Sequence, residues 1–191
     1  MLLVQDLVPG PQLLIPGLEL LLLLGLMALS PTLGPRVGRR ERAAALGLVG
    51  LLATANAATL VALVHRLVDG APSDGRTLLA AAAGVWLTNV VAFALGYWEL
   101  DRGGPHARLD PADQGLPDLL FPQDTDARIA PPGWRPGFAD YLFTSLTAST
   151  AFSPTDVMPL TPRAKLLVGL QSLVSLLTVG LVAARAVNVL T

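Results

Sequence analysis

Apolar residues fall into long runs at Pro16 to Leu33, Ala43 to Val68, Thr77 to Leu100 and Arg163 to Val189, separated by clusters of Pro, Gly, Asp and Arg. At about 1.5 Å per residue these runs reach or approach the ~30 Å hydrocarbon core of a bilayer. A shorter pattern, Phe138 to Thr150, places Phe138, Tyr141, Leu142, Phe143 and Leu146 at helical spacing. That helix would be roughly 20 Å long, too short to span. Ala151, Phe152, Ser153, Pro154, Thr155 and Asp156 then end it. The pattern predicts an all-α integral membrane protein with four transmembrane helices and a re-entrant helix and loop before the last one.

Polar positions inside the runs refine this picture. Pro16 suits a first helical turn and Glu19 lies where the helix dipole favours a carboxylate. No positive segment precedes this run, so it reads as a span and not as a secretory leader. In the second run Gly50, Ala53 and Ala57 permit close helix contact, and Asn56 must find a hydrogen-bonding partner. Thr88 and Asn89 occupy the middle of the third run, and Tyr97 and Trp98 mark its membrane boundary. Asn56 and Asn89 are expected at comparable depths on antiparallel neighbours, facing each other or a shared polar partner. In the last run Gln171, Ser175, Thr178 and Arg185 fall within about 40° of one line. Such a stripe lines water or packs on another polar surface.

The longest connection, Asp101 to Gly137, carries Pro105, Pro111, Pro117, Pro122, Pro131, Pro132 and Pro136. No regular helix is expected there apart from a short turn at Asp118 to Phe121 on the membrane surface. Its acids Asp101, Asp110, Asp113, Asp118, Asp124 and Asp126 read as solvated turn residues, with a cation-attracting vestibule as the alternative.

The order of elements from Trp86 onward resembles the pore domain of potassium channels: a hydroxyl-rich helix end, an irregular stretch, Asp156, an apolar pair, Pro159, then Arg163 opening a long apolar helix. Asp156 takes the place of the Asp that closes the TTVGYGD signature. Ser153 and Thr155 stand where its glycines would be, and Pro154 where its Tyr would be. The whole chain is also similar to a group of bacterial multi-pass membrane proteins of unknown function that carry the same altered loop.

The resemblance implies an N-terminal two-helix segment, 1–75, and a pore-domain-like unit, 76–191. Within that unit it implies an outer helix at 77–100, a turret-like loop at 101–137, a pore helix and loop at 138–162 and an inner helix at 163–190. Thr147, Ser149, Thr150, Ser153, Pro154, Thr155 and Asp156 become the pore-loop candidates. A potassium filter needs backbone carbonyls aimed at an axis, which glycine permits. Pro154 and β-branched Thr155 oppose those angles. The implied function is an ion-channel-like pore with a filter not selective for potassium, passing monovalent cations in a homotetramer. The alternative is a non-conducting structural or scaffold protein whose loop is a plug.

Composition narrows the field further. Of 191 residues, 52% are hydrophobic and 14% charged, with a formal net charge of -1 and no cysteine. Nucleic acid is excluded as a partner because no basic face is available, and the lipid bilayer is the expected environment. Disulfides and thiolate chemistry are absent. With His65 and His106 the only imidazoles, no metal site, cofactor or catalytic set is expected, and the chain does not read as an enzyme. Every basic residue except Arg66, Arg76 and Arg185 falls on one side of the expected topology. The positive-inside rule makes that side cytoplasmic and puts both termini outside the cell membrane.

Overall fold

The structure, a computed structural model, describes residues 39–68, 75–109, 115–126, 128–150 and 156–190. The apolar run with Pro16 and Glu19, the acids Asp110 and Asp113, the loop residues Ser153, Pro154 and Thr155, and the side chain of Arg185 lie outside the described residues.

Three long helices carry the fold: α1 (Arg39–Val68), α2 (Gly75–Leu100) and α5 (Pro162–Leu190). Segments Arg42–His65, Leu79–Gly103 and Pro162–Ala184 are long and apolar enough to cross a membrane. α1 starts at Arg39 and not at Ala43, so the arginines just before the second apolar run, Arg39, Arg40 and Arg42, are helical. No proline stands between Pro35 and Pro72, and Arg is a good helix former. α5 opens on Thr161, whose hydroxyl accepts from Ala164 N at 3.3 Å, with Pro162 in the first helical position.

A short helix, α4 (Phe138–Thr150), lies between α2 and α5. Its start is capped by Asp140, whose carboxylate accepts from Gly137 N at 2.7 Å. Phe138 meets Trp98 edge-on at 5.7 Å, Ser145 reaches Val90, and the Ser149 carbonyl faces Trp86. α4 therefore runs antiparallel to the second half of α2. Val157 then rejoins Tyr97, Phe121 and Tyr141 in one apolar cluster, which also holds Phe93, Leu119 and Ala164. A second cluster, Leu60, Leu63, Ala81, Ala82, Val85 and Leu181, closes the opposite end of α1, α2 and α5. α2 packs against α1, α4 and α5 alike.

The Pro-rich connection departs from expectation. Instead of a solvated loop it folds back through 3-10 turns at Asp101–Gly103 and Ala107–Leu109. Where a surface turn was expected it forms a strand, β1 (Leu119–Leu120), and then a single helical turn, α3 (Pro122–Thr125). β1 pairs antiparallel with β2 (Met158–Pro159), Leu119 opposite Pro159 and Leu120 opposite Met158. The reason is apolar: Leu119 and Phe121 are almost fully buried in the aromatic cluster, Phe121 meeting Tyr141 edge-on at 5.3 Å. Arg102 (φ 53), Gly103 (φ 85) and Gly104 (φ 98) make the reversal in consecutive left-handed conformations. A Cβ at Gly104 would lie 3.1 Å from the Glu99 carbonyl oxygen, so this turn needs glycine.

Candidate functional site

Two polar assemblies stand out, one deep among the spanning helices and one at the C-terminal end of α2.

The deep assembly centres on Gln171 of α5, which has no exposed surface. Its Nε2 donates to the Ser145 carbonyl at 2.8 Å and to the Ser149 hydroxyl at 2.7 Å, with the Ser145 hydroxyl also in reach. Tyr97 OH donates to its Oε1. Ser145 Oγ donates onward to the Val90 carbonyl at 2.5 Å. One turn along α5, the Ser175 hydroxyl accepts from Asn89 Nδ2 at 2.9 Å, and the same amide approaches the Gln171 carbonyl at 3.3 Å. Thr178 turns its hydroxyl back to the Val174 carbonyl at 2.8 Å. Of the expected stripe, Gln171, Ser175 and Thr178 are buried; Gln171 and Ser175 bond to polar groups of α2 and α4, and Thr178 bonds within α5.

Asn56 and Asn89 do not meet, contrary to expectation, and they share no partner. Asn56 Nδ2 donates to the Val85 carbonyl at 3.1 Å, while Asn89 turns toward α5. Val85 lies one turn, about 6 Å, from Asn89 along α2, and a backbone acceptor was the nearer choice for Asn56.

Among the pore-loop candidates, Thr147 donates to the Phe143 carbonyl at 2.9 Å, Thr150 to the Thr147 carbonyl at 3.0 Å, and Ser149 accepts from Gln171. The carbonyls at the C-terminal end of α4, which its own helix leaves unpaired, are also engaged. Ala148 accepts from Ser172 Oγ at 3.3 Å, Ser149 from Trp86 Nε1 at 3.5 Å, and Thr147 from Thr150. Asp156 is exposed.

The second assembly is an ionic knot that the sequence reading missed. Asp101, fully buried, accepts from the Asp118 and Leu119 amides at 2.8 and 3.1 Å through one oxygen. Through the other it accepts from Tyr141 OH at 2.6 Å and Arg102 Nε at 3.3 Å. Arg102 also pairs with Asp124, whose carboxylate accepts from Phe121 N at 3.0 Å. Asp118 accepts from Arg163 at 2.7 and 2.6 Å and from the Thr161 hydroxyl, tying the head of α5 to β1. Arg108 donates to the Trp98 and Asp101 carbonyls at 2.8 Å each and lies 5.0 Å over the Tyr141 ring.

Burial is the largest influence on the Asp118 carboxyl and pushes it up, but the Arg163 and Thr161 hydrogen bonds and the charges of Arg163 and Arg42 outweigh it, leaving it below its usual range. Burial draws the Arg108 guanidinium down, opposed by Tyr141 and Asp101. Asp101 and Asp118 are accordingly neither solvated turn residues nor a vestibule, because each is matched inside the fold, while Asp124 stays on the surface and pairs with Arg102. The one signal for the knot in the sequence is the Asp-Arg-Gly-Gly string directly after a span.

Among the described residues no group of three His, Asp or Glu side chains is placed to hold a metal ion. Comparison with family models, curated proteins and solved structures gives no match.

Proposed function

We propose that the chain is a non-conducting relative of pore-loop membrane proteins, in which α4 is a re-entrant helix held as a structural plug. Contacts that slide from Trp98 to Trp86 along α2 take α4 roughly 18 Å into the bundle, and Val157 is again beside Tyr97. With Pro16 to Leu33 as a further span, the protein has four transmembrane helices and a pore-domain order from α2 to α5.

One observation carries the choice of plug over pore. In a conducting loop the negative C-terminal end of the short helix faces a cation. Here the Thr147, Ala148 and Ser149 carbonyls at that end are each taken by a donor of the same chain. Among the described residues, the Thr147 and Thr150 hydroxyls turn back to carbonyls of α4 and the Ser149 hydroxyl accepts from Gln171.

The second reading, a tetrameric channel passing monovalent cations, is favoured by exposed Asp156 at the foot of the loop. Flux from reconstituted vesicles loaded with potassium or sodium separates the two. The plug reading expects leakage equal to that of empty vesicles and a monomer or dimer by native mass measurement. Currents that change on Asp156→Asn, from a tetramer, would overturn it. By the positive-inside rule we place the ionic knot on the cytoplasmic side of the cell membrane and both termini outside. Reporter fusions after Gly38 and Asp126 test this, and an external signal at both reverses it.

A further inference from the structure

Four buried side-chain polar atoms among the described residues have no hydrogen-bond partner, and two of them are guanidinium nitrogens at one corner, Arg42 Nε and Arg108 Nη2. An unpaired buried donor is destabilising, and native structures retain few of them. The corner is assembled around the last turn of α2. Arg42 donates through Nη2 to the Glu99 carbonyl at 3.2 Å, and Arg108 through Nη1 to the Trp98 and Asp101 carbonyls. Gly104 lies beside both: its carbonyl accepts from Arg108 N at 3.1 Å, and its Cα is packed closely enough that a Cβ there would stand 3.4 Å from Arg42 Nε.

Each guanidinium is therefore anchored by one edge while another N–H stays uncommitted. Neither neighbouring acid completes them. Asp101 already accepts hydrogen bonds at both oxygens, and Glu99, although both arginines act on its charge, leaves Arg42 Nε and Arg108 Nη2 without a partner. The corner is at the end of a membrane-spanning segment, beside Trp98, at the level where lipid phosphates lie.

We propose that Arg42 and Arg108 form a binding site for a phosphate oxyanion, supplied by the headgroup of an anionic lipid. Two anchored guanidinium groups present planar N–H edges suited to phosphate oxygens, and basic pockets at span ends are where lipid headgroups bind. This inference does not depend on whether the loop is plug or pore.

The test uses the full chain in mild detergent, titrated with phosphatidylglycerol, phosphatidylcholine or inorganic phosphate. Thermal unfolding and lipid adducts by native mass measurement are the readouts. Phosphatidylglycerol is expected to stabilise the wild type where phosphatidylcholine does not. Arg42→Gln is expected to weaken that response about tenfold, the worth of one charge-assisted hydrogen bond. Lys165→Gln, an exposed cation in the first turn of α5, is the control and should change it less than about twofold. Stabilisation by inorganic phosphate alone, lost in Arg42→Gln, keeps the oxyanion site and names free phosphate as its source. Equal responses to the two lipids, or equal losses in Arg42→Gln and Lys165→Gln, overturn the site. Should Arg42→Gln fail to fold by helicity and gel filtration, the lipid contrast on the wild type decides.

Discussion

Replacing Gln171 with Leu removes the amide on which α2, α4 and α5 converge. The substitution deletes three interactions: Tyr97 OH to Oε1, and Nε2 to the Ser145 carbonyl and the Ser149 hydroxyl. In water, stranding buried groups such as the Tyr97 and Ser149 hydroxyls costs about 1–3 kcal/mol each. Between membrane helices the unfolded chain also finds partners, and measured values average ~0.6 kcal/mol per bond. Three bonds at that lower value give about 2 kcal/mol, roughly a 30-fold change in the unfolding constant. Leu regains little, because lipid tails are as apolar as Leu itself. Reversible unfolding in mixed micelles, followed by helicity, measures this difference. Ser149→Ala in the Gln171→Leu background should cost less than it does alone, since the stranded hydroxyl is gone. A Gln171→Leu loss below about 0.5 kcal/mol, or strict additivity of the pair, would refute the buried tier and return the stripe to a water-lined role.

At the ionic knot the fold holds the Asp118 carboxyl below its usual range. Its contribution to stability is therefore complete above the unfolded value near 3.9 and is lost as pH falls through the lower native value. Acid unfolding between about pH 5 and pH 2 should show this fall, and Asp118→Asn should flatten it. Gly104→Ala places a Cβ against the Glu99 carbonyl at φ 98 and should destabilise by about 1–3 kcal/mol. Gly180→Ala in α5, with nothing within 4 Å of its Cβ, is the matched control and should be neutral or slightly stabilising in the same unfolding assay. Equal losses at the two glycines would contradict the role given to the Gly104 turn.

The three long apolar helices among the described residues were legible because period and length are local properties. The helices Phe138–Thr150 and Pro162–Leu190 have nearly the expected bounds, and Gln171, Ser175 and Thr178 are buried together. What they meet was not legible. The partners Ser145, Tyr97 and Asn89 lie 26, 74 and 86 residues away in sequence. The expected pairing of Asn56 with Asn89 failed for a related reason. Depth was estimated correctly to about one turn, but an amide bonds to whichever acceptor is nearest, and every residue of α2 offers one. The charged loop was misread because Asp next to Pro and Gly is ordinarily turn chemistry. Only Leu119 and Phe121, apolar residues buried at the end of the bundle, draw Asp118 inward to Arg163 and bring Asp124, at the surface, beside Arg102.

On the plug reading, the depth of α4 in the bilayer gives the polar tier its physical reason. Apolar contact does not favour helix over lipid inside a bilayer, so a short helix can be held there only by packing and hydrogen bonds. α4 exposes Phe143 and Leu146 on one side and turns Tyr141, Ser145 and Ser149 inward, where Asp101 and Gln171 engage them. Its first turns are fixed by the Tyr141 bond to Asp101 at the knot, and its last by Ser149, Gln171 and Trp86. On the plug reading these polar residues exist to hold a helix that does not span, and none is left over for an ion. Tyr141→Phe should then loosen the start of α4 without altering ion flux, whereas a conducting loop would become leaky or silent when its helix shifts. Hydrogen exchange along Phe138 to Thr150, read beside vesicle flux, distinguishes the two; faster exchange accompanied by a change in flux would count against the plug.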